Sequence, residues 1–504
     1  MTTARNRRLL FAAFVVLALV AVYGVAGLRH PAHAAGSAAR PGRAPVAMAI
    51  RACAAPGTAS PTAGSLALAA MPGSASGGTA SATRLVPGGS AASGPPVATV
   101  SRPGQLQVTT VKTALPLTRS LQAGQPGSSP QVKTQAVRGG VVVTASGAMA
   151  QGLAVEQTSA AGLVTAQCAA PGTSFWFVGP GQALAPHISL YLMNTDDDPA
   201  DVQVTAVTDI TKGGPLLGNA DNGITVPPHG MVVQSLSDLL QGSKVVALEV
   251  STSVGRVVAA LRETKNAADD GSWLPQSEQP SRSLVIPGLP QASGSPELYI
   301  AVPGTATASV RVTAVTPRGS YQPTGGTGID LLGGSASEIP LPSLGGVTGA
   351  IRISATVPVT ASVVVPGGPS GSPAVVAATA APVQEQGVLA DSPAGSTYLV
   401  LSAPRKAASV RIVVAGPGAS AAGQAGTVVP VKAGSTVVVP VKAPSGHRAA
   451  AVMIVVTPLP GSGPVYAARV VRSGNTVQSI LAVPSSLTWI PLPVVRDSLT
   501  AAGS

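Results

Sequence analysis

The densest group of side chains able to do chemistry is Asn194-Thr-Asp196-Asp197-Asp198-Pro-Ala-Asp201, which places four carboxylates within six residues. Calcium takes about six to eight oxygen ligands, and Asp196, Asp198 and Asp201 could supply part of such a set. The same residues suit a plain strand-to-strand turn, because Asn, Asp and Pro favour turns through local hydrogen bonding. EF-hand spacing and its closing Glu are missing, which favours the turn. A second candidate is Phe175-Trp176-Phe177, an aromatic triplet in a chain with only 3% aromatic residues. On a strand Trp176 points away from Phe175 and Phe177. One side of the strand could then face a sugar or a protein partner, or the rings could fill a core. His187, His229 and His447 are far apart, and none is paired in sequence with a nucleophile. Gly-x-Ser-x-Gly, His-Glu-x-x-His and Gly-Lys phosphate-loop patterns are all missing. A triad can be assembled from distant positions, but nothing in the spacing supplies one, so we expect no catalytic residue and no cofactor.

The two cysteines of the chain sit in one repeated pentapeptide, Cys53-Ala-Ala-Pro-Gly and Cys168-Ala-Ala-Pro-Gly. That repetition predicts a Cys53–Cys168 disulfide in an oxidising compartment. Two separate thiols, with the match arising from Ala, Pro and Gly bias, are the alternative. Closing a loop of this length contributes about 4–5 kcal/mol in the chain-entropy model. With no histidine close to either cysteine, a cysteine metal site is not expected.

Charge and hydropathy speak to location. No Asp or Glu precedes Glu156, whereas thirteen Lys and Arg do; the remainder carries 18 basic and 19 acidic residues. The net charge of +12 therefore belongs to the N-terminal third. Arg5, Arg7 and Arg8 precede an apolar run over residues 9–28, about 30 Å long as a helix and enough to span a bilayer. The flanking arginines place the N-terminus inside. The expectation is a single-pass protein of the cell membrane with an extracytoplasmic C-terminus. The alternative is a secreted chain, cleaved at the small-x-small site Ala32-His33-Ala34. The basic residues (Arg40, Arg43, Arg51, Arg84, Arg102, Lys112, Arg119, Lys133 and Arg138) are thinly spread and lack interleaved aromatics. Lipid headgroups and anionic envelope polymers fit this pattern as partners, and nucleic acid does not. A solvated linker whose arginines only preserve solubility fits it equally.

Composition points to an all-β chain. Gly and Pro number 58 and 47, and Val-rich runs broken at short intervals suggest short strands and tight turns. After the tip and span (1–30), residues 31–167 read as a basic, partly disordered region with β segments. Three blocks follow at 168–280, 281–390 and 391–504, read as tandem immunoglobulin-like β-sandwiches. The first offers about seven candidate strands, the count of that sandwich, and the others about six each. Ala200-Asp-Val-Gln-Val-Thr-Ala-Val207 aligns with Ala308-Ser-Val-Arg-Val-Thr-Ala-Val315 and Ala408-Ser-Val-Arg-Ile-Val-Val414. In each, alternation predicts one buried and one wet face. Pro340 and Pro440 suit edge strands, where a missing N–H costs no ladder bond. Trp273 and Trp489, near block ends, are expected to pack domain junctions.

Two stretches carry a resemblance: Val141-Val-Val-Thr-Ala-Ser-Gly-Ala-Met-Ala-Gln-Gly-Leu-Ala-Val-Glu-Gln-Thr158 and Cys168-Ala-Ala-Pro-Gly-Thr-Ser-Phe-Trp-Phe-Val-Gly179. The segment is similar to an uncharacterised actinobacterial family of large secreted or membrane-anchored proteins, a domain of unknown function. The resemblance implies an extracytoplasmic β-rich chain and brings no catalytic residues. The expected function is a non-enzymatic cell-envelope protein that binds or scaffolds at the wall or membrane through anionic polymers or envelope proteins. The alternative is an enzyme or accessory subunit acting on surface polysaccharide, which a cleft joining Asp196–Asp198 to a histidine would favour.

Overall fold

The computed structural model describes residues 43–54, 64–70, 79–87, 98–100, 106–111, 140–158, 165–210, 216–218, 223–265, 271–291, 294–344, 346, 348–365, 375–416, 421, 424–444, 451–473, 476–484 and 489–491. The apolar run 9–28, the site at 32–34 and His447 lie outside the described residues. Two compact units divide the chain, and the one spanning Pro45–Trp489 holds every sheet below. Of the other unit, only strand residues at 43–44 and 490–491 are described. Among the described residues no helix is long and apolar enough to cross a membrane. Apart from two single-turn 3-10 segments, Gly147–Met149 and Pro342–Leu344, the regular structure among the described residues is all β.

Eight sheets pair off into four sandwiches. Sheet A orders Met48–Cys53, Val141–Ser146, Ala80–Arg84 and Ala98–Val100, and sheet B orders Thr165–Gln167, Ala154–Thr158, Gly64–Ala69 and Leu106–Val111. Their shared core includes Leu66, Leu68, Val143, Ala145 and Val155. Sheet C centres on Ala200–Thr208, Val245–Val254 and Ser174–Pro180, and sheet D on Val258–Thr264, His187–Met193 and Gly230–Ser235. Phe175, Phe177, Leu190 and Leu248 lie between them. Gly349–Val365 serves two sheets. Its first half pairs with Ser281–Leu289 and Ala308–Thr316 in sheet E, and its second half with Glu297–Val302 and Val375–Ala378 in sheet F. Sheet G carries Ala408–Ala415, Ala451–Pro458 and Gly387–Pro393, and sheet H carries Thr397–Ala403, Tyr466–Ser473 and Thr476–Leu481. Pairing is antiparallel except where Val86–Pro87 joins Gly230–Ser235 in parallel, lending the A/B segment to sheet D. Pro340 and Pro440 do fall on edge strands, each paired on one side only.

The sandwiches bury their outer faces as well. Along Glu297–Val302, Leu298, Ile300 and Val302 enter the E/F core, whereas Tyr299 and Ala301 meet Val178, Val245 and Ala247 of sheet C. Ala67, Ala69 and Ala154 of sheet B lie on Ala390, Val413, Ala415 and Met453 of sheet G. Tyr191 and Met193 of sheet D meet Ala52 and Val142 of sheet A. Val285, Val315 and Ala350 of sheet E receive Tyr466 of sheet H. The interfaces therefore form a closed cycle, A–B–G–H–E–F–C–D–A. This accounts for the composition. A strand covered on both sides reads as a near-continuous apolar run, and the Ala and Val on the outer faces let adjacent sandwiches approach closely. It also refines the alternation read from the repeated segment. Gln203, Arg311 and Arg411 are exposed, but further along the same strands Val207, Val315 and Val413 are buried by the next sandwich. The segments between 46 and 167 pack as a sandwich of their own, and Arg51 is buried there, its Nη1 donating to Ile50 O at 2.9 Å. Burial pushes the Arg51 pKa down to about 10.

The B–G contact is locked by charge. Glu156 and Arg469 are 0% and 1% exposed, with Nη2 and Oε2 2.7 Å apart. A register shift between Leu389 and Ser392 takes two residues of Gly387–Pro393 out of their ladder. The freed N–H groups of Ala390 and Asp391 donate to the Glu156 carboxylate at 2.9 and 3.4 Å. Arg469 Nη1 also donates to Ser392 Oγ at 3.1 Å. Burial pushes the Glu156 pKa up, and Arg469 pulls it back only in part. Removing one partner of such a pair strands a buried charge. Arg469→Met is therefore expected to cost about 3–5 kcal/mol in urea unfolding, and the double variant Glu156→Leu/Arg469→Met to recover most of it.

Candidate functional site

The predicted disulfide is present. Cys53 ends a strand of sheet A and Cys168 follows one of sheet B, with Cα atoms 4.5 Å apart. Both sulfurs are buried in the A/B core. The backbone bridges Ala52 N to Ala169 O and Cys168 N to Val155 O, both 2.9 Å, hold the two ends in place. A buried bond of this kind is a staple rather than a reactive thiol pair.

The acidic loop does not gather its carboxylates. Asn194 is fully buried; its Nδ2 donates to Asp198 O and Val226 O, and its Oδ1 accepts the Asp196 N–H. This is an Asx-type turn between strands. Asp196 instead takes a two-pronged contact from Arg256, at 2.7 and 2.9 Å, which holds its pKa below the usual carboxylate value. Asp197 turns to His229 Nε2 at 2.7 Å, and Asp201 accepts from Thr225 Oγ1 at 2.8 Å. Asp198 contributes its backbone carbonyl. The candidate calcium set of Asp196, Asp198 and Asp201 is thus not brought together. Among the described residues no group of three His, Cys, Asp or Glu side chains is arranged to hold a metal ion.

His229 has a φ of +48°, a left-handed conformation that a Pro227-Pro228-His229-Gly230 turn would ordinarily give to glycine. Its bond to Asp197 and the Gly230 N–H to Pro227 O bond fix that turn against the acidic loop. A histidine thus meets the acidic loop, as the enzymatic alternative requires. Asp197 is 96% exposed, however, and no hydroxyl or thiol among the described residues is hydrogen-bonded to His229. His187 is exposed at the start of its strand.

The aromatic triplet is buried on both sides of its strand. Phe175 and Phe177 fill the C/D core, and Trp176, 4% exposed, faces the other way with its Nε1 unpartnered. No ring is open to a sugar at the surface. The wet face that alternation suggested for Trp176 is covered. Trp273 does pack a junction: it stacks edge-on against Tyr191 at 5.2 Å and sits beneath Arg262 in the D–A interface. The side chain of Trp489 lies outside the described residues.

Sequence reading missed the acidic surroundings of Tyr299. Its hydroxyl points to Glu297 Oε2 at 3.5 Å, and burial, Glu297, Glu338 and Glu263 together push its pKa up. Burial and the neighbouring Glu338 likewise raise Glu297. Glu263 lies against sheet C, where a Cβ on Gly179 would come within 3.3 Å of its Oε1. That oxygen has no hydrogen-bond partner, and burial alone drives the Glu263 pKa well up. Strand register held the signal: Ala259, Leu261 and Glu263 share one face, and the first two are core residues.

Burial is the first cause of each of these shifts. Because the folded pKa of Glu263 is raised, its contribution is fully present below the unfolded value near pH 4.5 and is lost as pH climbs through the folded value. Glu263→Gln is expected to match the parent at pH 4 and to exceed it by about 1–3 kcal/mol at pH 8 in thermal or urea unfolding. Replacing Cys53 and Cys168 with Ser should cost about 2–5 kcal/mol in the same assay.

No curated protein and no solved structure matches the chain. A family profile does, and it covers residues 122–442. The matched span runs from ahead of the Val141–Ser146 strand into the G/H sandwich, ending before its Ala451–Pro458 strand, and includes both sequence stretches that carried the resemblance. The chain belongs to the DUF5719 family, a family of unknown function.

Proposed function

We propose that this protein is a non-enzymatic, extracytoplasmic component of a cell envelope, whose four β-sandwiches, immunoglobulin-like in type, form a rigid platform for binding or scaffolding. The observation that carries the reading is the closed cycle of eight sheets, in which buried ionisable groups such as Glu156 and Arg469 serve packing between modules. The Cys53–Cys168 disulfide favours an oxidising compartment. The basic apolar N-terminus fits a retained single-pass helix over 9–28, or a secreted form cleaved after 32–34. Anionic envelope polymers and other envelope proteins are the partners this charge pattern suits, in an organism of the actinobacterial kind that the resemblance implies. An enzyme acting on surface polysaccharide has less support, because the Asp197–His229 pair stands open and lacks a nucleophile.

The test is co-sedimentation of the purified full chain with isolated cell envelopes across a salt series. A matched variant carries Lys112, Arg119, Lys133 and Arg138 changed to Gln. The full chain should pellet at low salt and be released as salt screens the contact, and the variant should be released at lower salt. A chain that stays in the supernatant at low ionic strength would overturn the envelope reading.

A further inference from the structure

Charge is divided among the modules in a way that the near balance of residues 156–504 conceals. Residues 168–280 hold five Lys and Arg against twelve Asp and Glu, residues 281–390 hold four of each, and residues 391–504 hold nine against two. The acidic C/D and basic G/H sandwiches are not adjacent in the cycle, although Glu278 and Arg405 both act on Tyr466. The basic side continues onto the outer face of sheet E where sheet H meets it. Arg311 pairs across the ladder with Ser354, and Arg352 with Thr313, which places both arginines on that face and on neighbouring strands. Such diagonal positions lie about 7–8 Å apart. Ser283 pairs with Ser354 on the same face and accepts a hydrogen bond at 3.1 Å from Arg405 Nη2, reaching over from sheet H. Three guanidinium groups thus gather across three adjacent strands, a width of about 10 Å.

None of these arginines has an ion-pair partner among the described residues. No carboxylate among the described residues comes within 4.0 Å of them. Asp330, on this face, accepts from Ser309 Oγ at 2.5 Å, and Glu278 shares the Tyr466 end of the face with Arg405 without pairing with it within 4.0 Å. Arg311 and Arg405 are exposed, and Arg352 Nη2 reaches Thr313 Oγ1 at 3.4 Å while its buried Nε has no partner. Guanidinium forks match the paired oxygens of phosphate and carboxylate, and their spacing suits oxyanions repeated along one chain.

We propose that the Arg311–Arg352–Arg405 face binds the oxyanions of a linear anionic polymer, of phosphodiester or uronate type. The site rests on the envelope reading only for where such a polymer would be met.

The test titrates the full chain, in mild detergent, with labelled inorganic polyphosphate and with labelled polygalacturonate at two salt concentrations. The double variant Arg311→Ser/Arg405→Ser should weaken binding by about ten-fold or more and lower the log–log salt slope by about two, one for each guanidinium removed. Arg411→Ser, exposed on sheet G away from this face, should change binding less than about two-fold. Weaker binding of polyphosphate alone identifies a phosphate polymer, of polygalacturonate alone a uronate, and of both the shared oxyanion chemistry. Unchanged binding in the double variant, or an equal weakening in Arg411→Ser, overturns the proposal. Arg311→Ser alone serves if the double variant unfolds at lower temperature. Envelope pelleting is scored in parallel. A chain that binds polyphosphate through these arginines but fails to pellet sinks the envelope reading and leaves this site standing. A chain that pellets while its double variant binds both polymers unchanged does the reverse.

Discussion

Every sheet in this protein has two faces to bury, and the rest of the structure follows from that constraint. A lone sandwich hides one face of each sheet and leaves the other to water, which calls for polar residues at alternate positions. Here the outer faces carry Ala67, Ala69, Ala301, Ala390 and Ala415, so exposed sandwiches would present apolar surface. Closing the cycle removes that surface by giving each outer face a partner. The low charge content and the abundance of Val and Ala are therefore consequences of architecture.

Closing a cycle also requires the first module to meet the last, and that contact spans more than three hundred residues of chain. A purely apolar B–G interface would allow the sheets to slide. The strand irregularity at Leu389–Ser392 exposes two N–H groups that only an acceptor can satisfy, and Glu156 with Arg469 supplies it. Buried pairs add little net stability compared with well-packed apolar residues, but leaving them mismatched is costly. The pair thus specifies one register for the closure. Polar bonds at the E–H contact, Thr436 Oγ1 to Val315 O and Ser479 Oγ to Gly288 O, act in the same sense.

The residues that looked most chemical turned out to be structural. Asp196 through Asp201 divide among Arg256, His229 and Thr225, because a turn's own backbone and the neighbouring loops satisfy them first. Phe175, Trp176 and Phe177 lie in two interfaces at once. Of the groups with shifted pKa, Glu263 sits within the C/D core and Tyr299 where sheet F meets sheet C. Arg311, Arg352 and Arg405 meet on one face, which single-strand patterns could not show because they come from separate strands and a turn.

By itself the sequence determined the all-β class, the edge positions of Pro340 and Pro440, the disulfide and much of the strand placement. Each of these rests on local chemistry: a period of two, a missing N–H, or a repeated pentapeptide. Tertiary structure alone decided that the outer faces are covered, that residues 46–167 contribute a sandwich of their own, and that Glu156 finds Arg469. Those outcomes depend on pairings between residues hundreds of positions apart. Alternation within one strand reports which side chains share a face, and only the packed neighbours decide whether that face is wet.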